Sequence, residues 1–368
     1  MYLNHLTLLN YRNIVECDLE FSPKINCFLG RNGMGKTNLL DAVYYLSFCK
    51  SHINVIDNQI IKYDAEFFML QGKYLDGDRE ELVSCAVKHR RKKQFSRNKK
   101  EYERLVEHIG FIPLVLVSPA DLSLIEYGSD ERRRFMDIVI SQYDRQYLDN
   151  LVVYNSALQN RNALLKTLES IDTTILEVLE EKMCAVAEPI FKSRSQFLEN
   201  FIPVFKDFYI KIASEQEVVD LAYTSHLQQD DSLQNQFIKT RERDKILGYT
   251  THGTHKDDLQ MTLNGFPLKR NGSQGQNKSF LVAMKLAQFV FLKKVSHKIP
   301  ILLLDDLFDK LDTDRVTKII NLILSDDFGQ IFITDTNSIH LNNVLTKSNG
   351  HFKFFELIDG EVKENLMG

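Results

Sequence analysis

Residues 25–37 read INCFLGRNGMGKT, an apolar run followed by a glycine-rich loop that closes with Lys36 and Thr37. The loop matches the pattern G-x-x-x-x-G-K-[ST], and apolar residues at helical spacing follow it from Leu39 to Leu46. Glycines let a backbone wrap around a phosphate and point N–H groups at it, and a helix start adds the positive end of its dipole. The order strand, loop, helix therefore predicts a phosphate-binding loop within an α/β fold.

The positions of this loop have expected roles toward a bound nucleotide. Lys36 is expected to reach the β- and γ-phosphates, and the Thr37 hydroxyl is expected to ligate Mg²⁺. A glycine-rich turn without a ligand is the alternative, but it leaves the lysine and the hydroxyl unexplained. The residues expected to contact the nucleotide are Gly30, Arg31, Asn32, Gly33, Met34, Gly35, Lys36, Thr37 and Asn38.

A second acidic motif stands near the other end of the chain, where Leu302-Leu303-Leu304 is followed by Asp305 and Asp306. One carboxylate at a strand tip beside a phosphate loop can hold Mg²⁺, and a second can polarise the attacking water. The pattern is weak alone, because buried strands often end in aspartate, but it is strong beside a phosphate loop. We assign Asp305 to the metal and Asp306 to the water.

The long separation of these motifs predicts a large insertion between two parts of one domain. No glycine stands between Gly128 and Gly248, and only Pro189 and Pro203 interrupt that stretch. Long helices disfavour both residue types, so their scarcity predicts helix. We expect an α/β domain formed by residues 1–118 and 249–368, with a helical lobe or arm over residues 119–248.

Apolar residues within the insertion recur at helical spacing. They are Tyr147, Leu151, Tyr154, Leu158, Leu165 and Leu168, then Ile175, Leu179, Met183, Val186 and Ile190. A helical bundle packed on a neighbouring domain and a protruding antiparallel arm both fit this pattern. The flanking segments alternate strands and helices, which indicates a mainly parallel sheet, preceded by strands over residues 5–21.

A second candidate anion site precedes the acidic strand, at Asn271-Gly272-Ser273-Gln274-Gly275-Gln276. Small residues at the start of a helix can cradle an anion, although a serine that only caps its helix is common. One nucleotide needs one cradle. The second cradle therefore suggests that Ser273 serves a nucleotide held by another subunit.

Together these motifs resemble the ABC-type ATPase heads of the SMC/Rad50 class, and nearly the whole chain resembles the RecF family. The resemblance is carried by several stretches in combination. They are residues 11–13 (YRN), 30–40, 118–122 (SPADL), 131–135 (ERRRF), 252–259 (HGTHKDDL), 273–287, 305–312 and 332–334.

The resemblance implies an ATP-gated homodimer with weak, DNA-stimulated ATP hydrolysis. Ser273 and Gln274 of one copy would close over the γ-phosphate bound by the other, and Arg12 would lie near the nucleotide. Such a dimer would clamp duplex DNA near single-stranded gaps, support recombinase loading in recombinational repair, and work with RecR and RecO. Hydrolysis would release it.

Two departures from related patterns stand out. RecF-like proteins usually show G-P-H-R-D-D where this chain has Gly253-Thr254-His255-Lys256-Asp257-Asp258. ABC transporters carry a histidine after the strand equivalent to Phe332-Ile333, and this chain has Thr334 and Asp335 instead. The residue that senses the γ-phosphate there is left unassigned.

A basic stretch over residues 88–100 is the candidate contact with DNA. Backbone phosphates are uniform, so such a contact would bind without reading sequence. A solvated loop without a ligand is the alternative. The basic residues are Lys88, Arg90, Arg91, Lys92, Lys93, Arg97, Lys99 and Lys100.

Two further groups stay open or point to structure. Arg132, Arg133 and Arg134 follow a plausible helix cap at Ser129-Asp130, and they could face DNA or pair with acidic groups of the arm. His252 and His255 with Asp257 and Asp258 look like a metal cluster, but a structural loop is favoured because further ligands at metal-site spacing are missing.

Composition limits the remaining function classes. The 368 residues carry Lys+Arg 46 and Asp+Glu 50, a net charge of −4, so DNA contact must come from a local patch. The five cysteines include no CxxC pair, which fits a reducing compartment, and neither a signal peptide nor a membrane span is expected. We expect a cytoplasmic protein that joins the nucleoid when bound to DNA. The alternatives are a transporter motor and another SMC-like or defence ATPase.

Overall fold

The computed structural model describes residues 1–53, 56–167, 173–213, 216–307, 311–325, 327–336, 352–358 and 360–364. It divides into two compact units. Residues Met1–Asp121 and Lys278–Gly368 form one, which we call the head unit, and Leu122–Asn277 form the other, which we call the inserted unit.

The strands are numbered in chain order. They are β1 (Tyr2–Tyr11), β2 (Ile14–Glu20), β3 (Ile25–Leu29), β4 (Phe67–Asp76), β5 (Arg79–Lys88), β6 (Gln94–Arg97), β7 (Lys100–Glu101), β8 (Leu114–Val117), β9 (Val219–Thr224), β10 (Asp258–Leu263), β11 (Phe266–Pro267), β12 (Ile301–Asp305), β13 (Ile331–Asp335), β14 (Phe352–Ile358) and β15 (Glu361–Glu364).

The α-helices are numbered in the same way. They are α1 (Lys36–Phe48), α2 (Ser123–Glu126), α3 (Ser129–Ser141), α4 (Arg145–Leu165), α5 (Thr173–Ile212), α6 (Leu233–Leu247), α7 (Leu268–Asn271), α8 (Gln274–Ser296) and α9 (Thr313–Ile323).

In the described residues, two sheets build the head unit. An antiparallel sheet has the order β2-β1-β4-β5-β6-β7, and the second sheet has the order β15-β14-β3-β13-β12-β8. In the second sheet β14, β3, β13, β12 and β8 run parallel, and β15 pairs antiparallel with β14. The predicted α/β fold with N-terminal antiparallel strands and an inserted helical region is confirmed.

The parallel sheet positions the predicted motifs. Strand β3, which precedes the phosphate loop, lies between β13 and β14, and β12 pairs with the other side of β13. All five residues of β12 and of β13 are buried, as runs of Leu, Ile and Phe predict for a strand covered on both faces. Because parallel strands end at one edge of a sheet, the residues after β3 and β12 lie on the same edge.

Helices α4 and α5 pack against each other in the inserted unit. The predicted apolar stripe is largely buried, at Tyr147, Tyr154, Leu165, Leu179, Met183 and Ile190. Ile175 departs from the prediction, because it is 49% exposed while the neighbouring Leu176 is fully buried. Leu168 lies outside the described residues.

The glycine-free stretch is not helical throughout, which differs from the prediction. It contains β9, where alternate residues Val219 and Leu221 are buried and the strand pairs with β10. Pro189 and Pro203 do not end a helix, since both lie inside α5. Both prolines are exposed, so the backbone hydrogen bonds that proline cannot donate are missing from the solvent-facing side of α5.

The unit boundaries also differ from the expected ones. The first falls at 121/122 instead of 118/119, and the second falls at 277/278 instead of 248/249. The reason for the second shift is β10, which pairs along its whole length with β9. Residues 249–277 therefore belong to the inserted unit.

Two buried arginines tie the inserted unit together. Arg161 of α4 donates to Glu180 of α5 and to Asp244 of α6, both at 2.8 Å, and its side chain is fully buried. Arg194 of α5 donates at 2.6 Å to Asp257, just before β10. Each guanidinium joins segments that are distant in sequence.

None of the described helices is both long and apolar enough to span a membrane.

Candidate nucleotide-binding site

The phosphate loop connects β3 to α1 and needs glycine at two positions. Gly33 and Gly35 have φ angles of +85° and +108°, in the region that favours glycine. A Cβ atom on Gly35 would also lie 2.9 Å from the side-chain oxygen of Asn13. Gly35 precedes α1 and offers no side chain to cap it, so the first N–H groups of the helix can serve an anion.

The side chain of Lys36, the first residue of α1, folds back against the phosphate loop that precedes it. Its Nζ donates to the carbonyl oxygens of Gly30 at 2.7 Å and Arg31 at 3.2 Å, and the residue is 4% exposed. The loop therefore concentrates an ammonium group and a helix N-terminus in one place. Both favour a bound phosphate group.

Thr37 and Asp305 meet although they are far apart in sequence. The Thr37 hydroxyl lies 3.1 Å from Oδ1 and 3.0 Å from Oδ2 of Asp305. Thr37 is in the first turn of α1 and Asp305 ends β12, so the shared sheet edge brings them together. The structure thus joins the phosphate loop and the acidic motif.

The paired oxygens of Thr37 and Asp305 fit Mg²⁺ by their chemistry. Mg²⁺ prefers hard oxygen ligands and is usually held by one or two protein groups together with phosphate oxygens. Across the described ranges, His, Cys, Asp and Glu form no group of three or more that could hold a metal ion. Mg²⁺ sites of this kind are usually completed by phosphate oxygens and water.

Asp306 adopts an unusual backbone conformation, with a φ of +43°. Aspartate is among the residues that tolerate this left-handed region. Its N–H donates to the hydroxyl of Thr334 at 3.0 Å, and the same hydroxyl donates to Asp305 Oδ1 at 2.7 Å. Sequence patterns alone assigned Thr334 no role. The sequence signal that could have indicated a role was a hydroxyl residue near the end of a buried apolar strand.

Asn13 is a second residue that sequence reasoning missed. It follows Arg12 in the turn between β1 and β2, and its Oδ1 accepts a hydrogen bond from Asn38 Nδ2 at 2.7 Å. It also packs against Gly35, so the turn supports the phosphate loop. Its place beside Arg12 was the available sequence signal.

Arg12 itself is held by a buried carboxylate. Its Nε and one terminal nitrogen donate to Asp41 Oδ2 at 3.1 and 3.0 Å, and that nitrogen also donates to Ser51. Asp41 is fully buried and accepts further hydrogen bonds from Tyr11, at 2.7 Å, and from His52. The turn that carries Arg12 is thereby fixed to α1 and to the segment after it.

The Asp41 cluster predicts an acid-sensitive contribution to stability. Burial raises the pKa of the Asp41 carboxyl, but the hydrogen bond and charge of His52, the charge of Arg12 and the Tyr11 hydrogen bond together lower it from 3.8 to about 2. A shift of this size corresponds to about 2 kcal/mol. Because the pKa is lower in the folded state, this stability is present above pH 4 and is lost as the pH falls toward 2.

Urea unfolding of the wild type and Asp41→Asn between pH 2 and pH 7 measures this contribution. We expect the deficit of the variant to be about 2 kcal/mol near neutral pH and to shrink below pH 4. Asp78→Asn, in an exposed turn, controls for the loss of a surface carboxylate. A deficit that is constant across the range would contradict the assignment.

Ser273 caps α8, and it is exposed. Its Oγ accepts from the N–H of Gln276 at 3.2 Å, and the Gln276 side chain accepts from the Ser273 N–H at 2.9 Å. This is a capping box, so the capping alternative is present in the structure. The cap uses the hydroxyl oxygen as an acceptor, and a hydroxyl still carries one donor proton. Gln274, the first residue of α8, is also exposed.

The basic stretch divides into inward and outward side chains. The stretch runs from the last residue of β5 through β6 to the first residue of β7, and β5 and β6 pair as an antiparallel hairpin. Three members pair within the head unit, since Lys88 contacts Glu66, Lys93 contacts Asp57, and Arg97 contacts Glu81. Lys88 is nevertheless exposed, and so are the five members Arg90, Arg91, Lys92, Lys99 and Lys100.

The arginine run after Gly128 faces acidic and carbonyl groups of its own unit. Helix α3 begins at Ser129 and Gly128 is its N-cap, so the expected cap at Ser129-Asp130 is displaced by one residue. Arg132 donates to both carboxylate oxygens of Asp258, at 2.6 and 3.1 Å. Arg133 donates to the Asp257 carbonyl at 2.6 Å. These two arginines therefore hold the start of β10 and the segment before it.

The histidines of that segment have structural partners. His255 hydrogen-bonds with the Tyr154 hydroxyl at 2.9 Å and the Thr250 carbonyl at 3.0 Å. The His252 ring stacks on His226 with centroids 4.4 Å apart. Burial, as the largest cause, lowers the pKa of His255 to about 4. The ring is therefore neutral near pH 7, and the contacts agree with the favoured structural loop.

Comparison with known proteins identifies the family of the chain. The model of the RecF/RecN/SMC N-terminal domain matches residues 2–354. The chain is 57% identical over 366 residues to the DNA replication and repair protein RecF of Phocaeicola vulgatus, covering 99% of this chain and 98% of the relative. It is 54% identical to the RecF of Bacteroides thetaiotaomicron, covering 99% of both chains.

Solved structures agree with the sequence relatives. The recombination mediator protein RecF with ATP, of the RecFOR pathway, superposes with a TM-score of 0.88 at 29% identity, over 99% of this chain and 97% of that one. An Smc head domain from Pyrococcus furiosus, with a TM-score of 0.58 at 16% identity over 99% of this chain and 96% of that one, shares the fold. The chain therefore belongs to the RecF family, and it has the ATPase-head fold of the SMC class.

Proposed function

We propose that the chain is an ATP-dependent DNA-binding protein of recombinational repair, which dimerises around ATP, clamps duplex DNA near single-stranded gaps and releases it on slow hydrolysis. The contact between Thr37 and Asp305 carries this proposal, because it joins the phosphate loop to the acidic strand. The relatives named as DNA replication and repair proteins and the related structure with ATP support it.

The residues of the head unit divide the work on ATP. The loop Gly30–Gly35 surrounds the phosphates with backbone N–H groups, and Lys36 places an ammonium beside the β- and γ-phosphates. Thr37 and Asp305 offer the oxygens that hold Mg²⁺. When bound, the cation neutralises charge that develops on the phosphate oxygens. Asp306 orients the attacking water and accepts its proton.

The second copy completes each site in this proposal. Ser273 and Gln274 are exposed at the start of a 23-residue helix, and Ser273 retains a donor proton for a γ-phosphate oxygen. A symmetric pair would then hold two ATP molecules between its subunits. Loss of the γ-phosphate would remove this contact and let the dimer open.

Light scattering of the full chain with a slowly hydrolysed ATP analogue and Mg²⁺ tests this step. We expect the measured mass to double on addition of nucleotide, and we expect Ser273→Arg to remain monomeric while still binding the analogue. A wild-type monomer at micromolar protein and saturating nucleotide would refute ATP-gated dimerisation.

The exposed part of the basic hairpin is the proposed contact with DNA phosphates. Lys93 and Arg97 are only 16% and 38% exposed and are paired with carboxylates, so they are weaker candidates than the residues that face solvent. The five exposed residues other than Lys88, whose charge is paired with Glu66, give the acidic chain a local positive patch. Such a patch binds the backbone and not a sequence.

Replacing Arg90, Arg91, Lys92 and Lys99 by alanine is expected to weaken duplex binding and flatten its salt dependence. Each lost phosphate contact removes about 0.9 from the slope of log K against log salt, so four remove up to ~3.6. Fluorescence anisotropy with ATP at several salt concentrations measures this slope. Arg90→Lys with Arg91→Lys keeps the charge and should keep the slope. If the alanine variant keeps it too, the patch does not contact DNA.

Family membership supports a proposal for the partners and the cellular setting. A related structure is named as a recombination mediator of the RecFOR pathway. We therefore propose RecR, with RecO, as partners at gapped DNA, and we propose a cytoplasmic protein that joins the nucleoid on DNA. Duplex-stimulated ATP turnover by the isolated chain would separate this role from a transporter motor, which needs no DNA.

A further inference from the structure

Asp305 and Asp306 are adjacent in sequence, yet the proposed function gives them separate tasks. Asp305 is the last residue of β12, buried and in line with its strand. Asp306 leaves the strand in the left-handed region, at a φ of +43°. Contacts with neighbouring groups must stabilise this change of backbone conformation at Asp306, because the left-handed region is a minor one even for aspartate.

Thr334 is placed to hold both residues. It lies on β13 in register with Asp305, and β13 separates the strand of the phosphate loop from the strand of Asp305. The Thr334 hydroxyl donates to Asp305 Oδ1 at 2.7 Å and accepts from the Asp306 N–H at 3.0 Å. Thr334 is fully buried, so no solvent competes for these hydrogen bonds.

The two hydroxyls on Asp305 have different prospects when a cation binds. The Thr37 hydroxyl contacts both carboxylate oxygens, and in the proposed site its oxygen turns to the cation. Thr334 approaches from the neighbouring strand and contacts Oδ1 alone. Its hydrogen bond can therefore persist and fix the carboxylate while Thr37 changes partner. Groups that orient a ligand in this way tune metal affinity strongly.

We propose that Thr334 is a positioning residue, whose hydroxyl orients Asp305 toward the cation and fixes the backbone of Asp306 toward the attacking water. This inference rests on the proposed ATP site and deepens it. It also gives a role to the position where transporter motors carry their histidine motif, without making Thr334 a γ-phosphate sensor.

Thr334→Val and Thr334→Ser test the hydroxyl directly. Valine keeps the branched shape and removes both hydrogen bonds, whereas serine keeps the hydroxyl and loses a methyl group. For the full chain we would measure the Mg²⁺ concentration that gives half-maximal ATP turnover. As a readout apart from turnover, we would measure the rise in melting temperature that Mg²⁺ adds to a slowly hydrolysed ATP analogue, relative to the analogue with EDTA.

We expect Thr334→Val to need roughly 10- to 100-fold more Mg²⁺ by both readouts, to lower maximal turnover, and to bind the analogue normally in EDTA. Serine should restore most of the Mg²⁺ affinity. Thr317→Val, at an exposed helical threonine whose hydroxyl contacts only backbone, should behave as the wild type. If valine fails to fold, the comparison of Thr334→Ala with Thr334→Ser gives the same test.

Two results would contradict two different claims. Wild-type-like Mg²⁺ dependence in the valine or alanine variant would overturn the role of Thr334 and leave the proposed ATP site intact. A wild type that shows no Mg²⁺-linked stabilisation by the analogue would instead overturn the proposed site itself.

Discussion

Asp306→Asn is expected to slow ATP turnover by roughly 10²- to 10⁴-fold, because a positioned general base contributes about this much. The amide cannot accept the proton of the attacking water. Asparagine also tolerates the left-handed region, so the φ of +43° and the hydrogen bond to Thr334 should be retained. Single-turnover hydrolysis measured by phosphate release checks the rate.

The same variant separates chemistry from assembly. The ATP-bound dimer of Asp306→Asn should persist in light scattering with ATP itself, since the phosphate loop and Ser273 are unchanged. Asp314→Asn, at an exposed site in the first turn of α9, is the matched control and should turn over ATP as the wild type does. Undiminished turnover in Asp306→Asn would remove the residue from the reaction.

Arg161→Ala is expected to destabilise the inserted unit by about 3–5 kcal/mol, because removal of one partner strands buried carboxylates. Arg161 is fully buried and contacts Glu180, Asp244 and Thr250 through hydrogen bonds of 2.8 Å. In the variant Glu180 keeps its ion pair with Arg241, whereas Asp244 loses its ion pair with Arg161. Hydrogen–deuterium exchange of α4, α5 and α6 in the full chain measures the change.

An exposed ion pair of the same unit is the control. Lys192 and Glu188 pair on the surface of α5 with side chains 71% and 66% exposed, and such pairs contribute little. Lys192→Ala should leave the exchange of the three helices unchanged. Equal protection in Arg161→Ala and Lys192→Ala would show that the buried network does not stabilise the helices.

The sequence predicts the site best where its chemistry is local. The phosphate loop is a continuous pattern, and its conformation follows from glycines at positive φ. The meeting of Thr37 with Asp305 follows from a general rule, that parallel strands end at one edge of a sheet. These features need no knowledge of which distant side chains pair.

Features that depend on distant pairing were not predictable in the same way. Thr334 contacts Asp305 and Asp306 because the pairing of β13 with β12 places it opposite Asp305. Neither segment alone predicts this register. The assignment of residues 249–277 to the head failed for the same reason, since β10 pairs with β9 within the insertion.

Charge and spacing leave the direction of a side chain open. By charge alone the eight basic residues of the stretch are equivalent, yet Lys93 donates to the Tyr45 hydroxyl and the Cys49 carbonyl inside the head unit. Ile175 and Leu176 are both apolar, and helical spacing favoured the one that proved exposed. Packing against neighbouring elements decides such positions.

The central claim is that each ATP is shared between two copies, with the phosphate loop from one and Ser273 from the other. Mixing Lys36→Ala protein with Ser273→Arg protein tests it most directly. In a mixed dimer one site carries both changes and the other carries neither. Because neither variant is expected to pair with itself, the dimers in an equimolar mixture are mixed and each has one intact site, so up to about half of wild-type turnover should return from two inactive proteins. A mixture as inactive as its separate components would contradict the shared site.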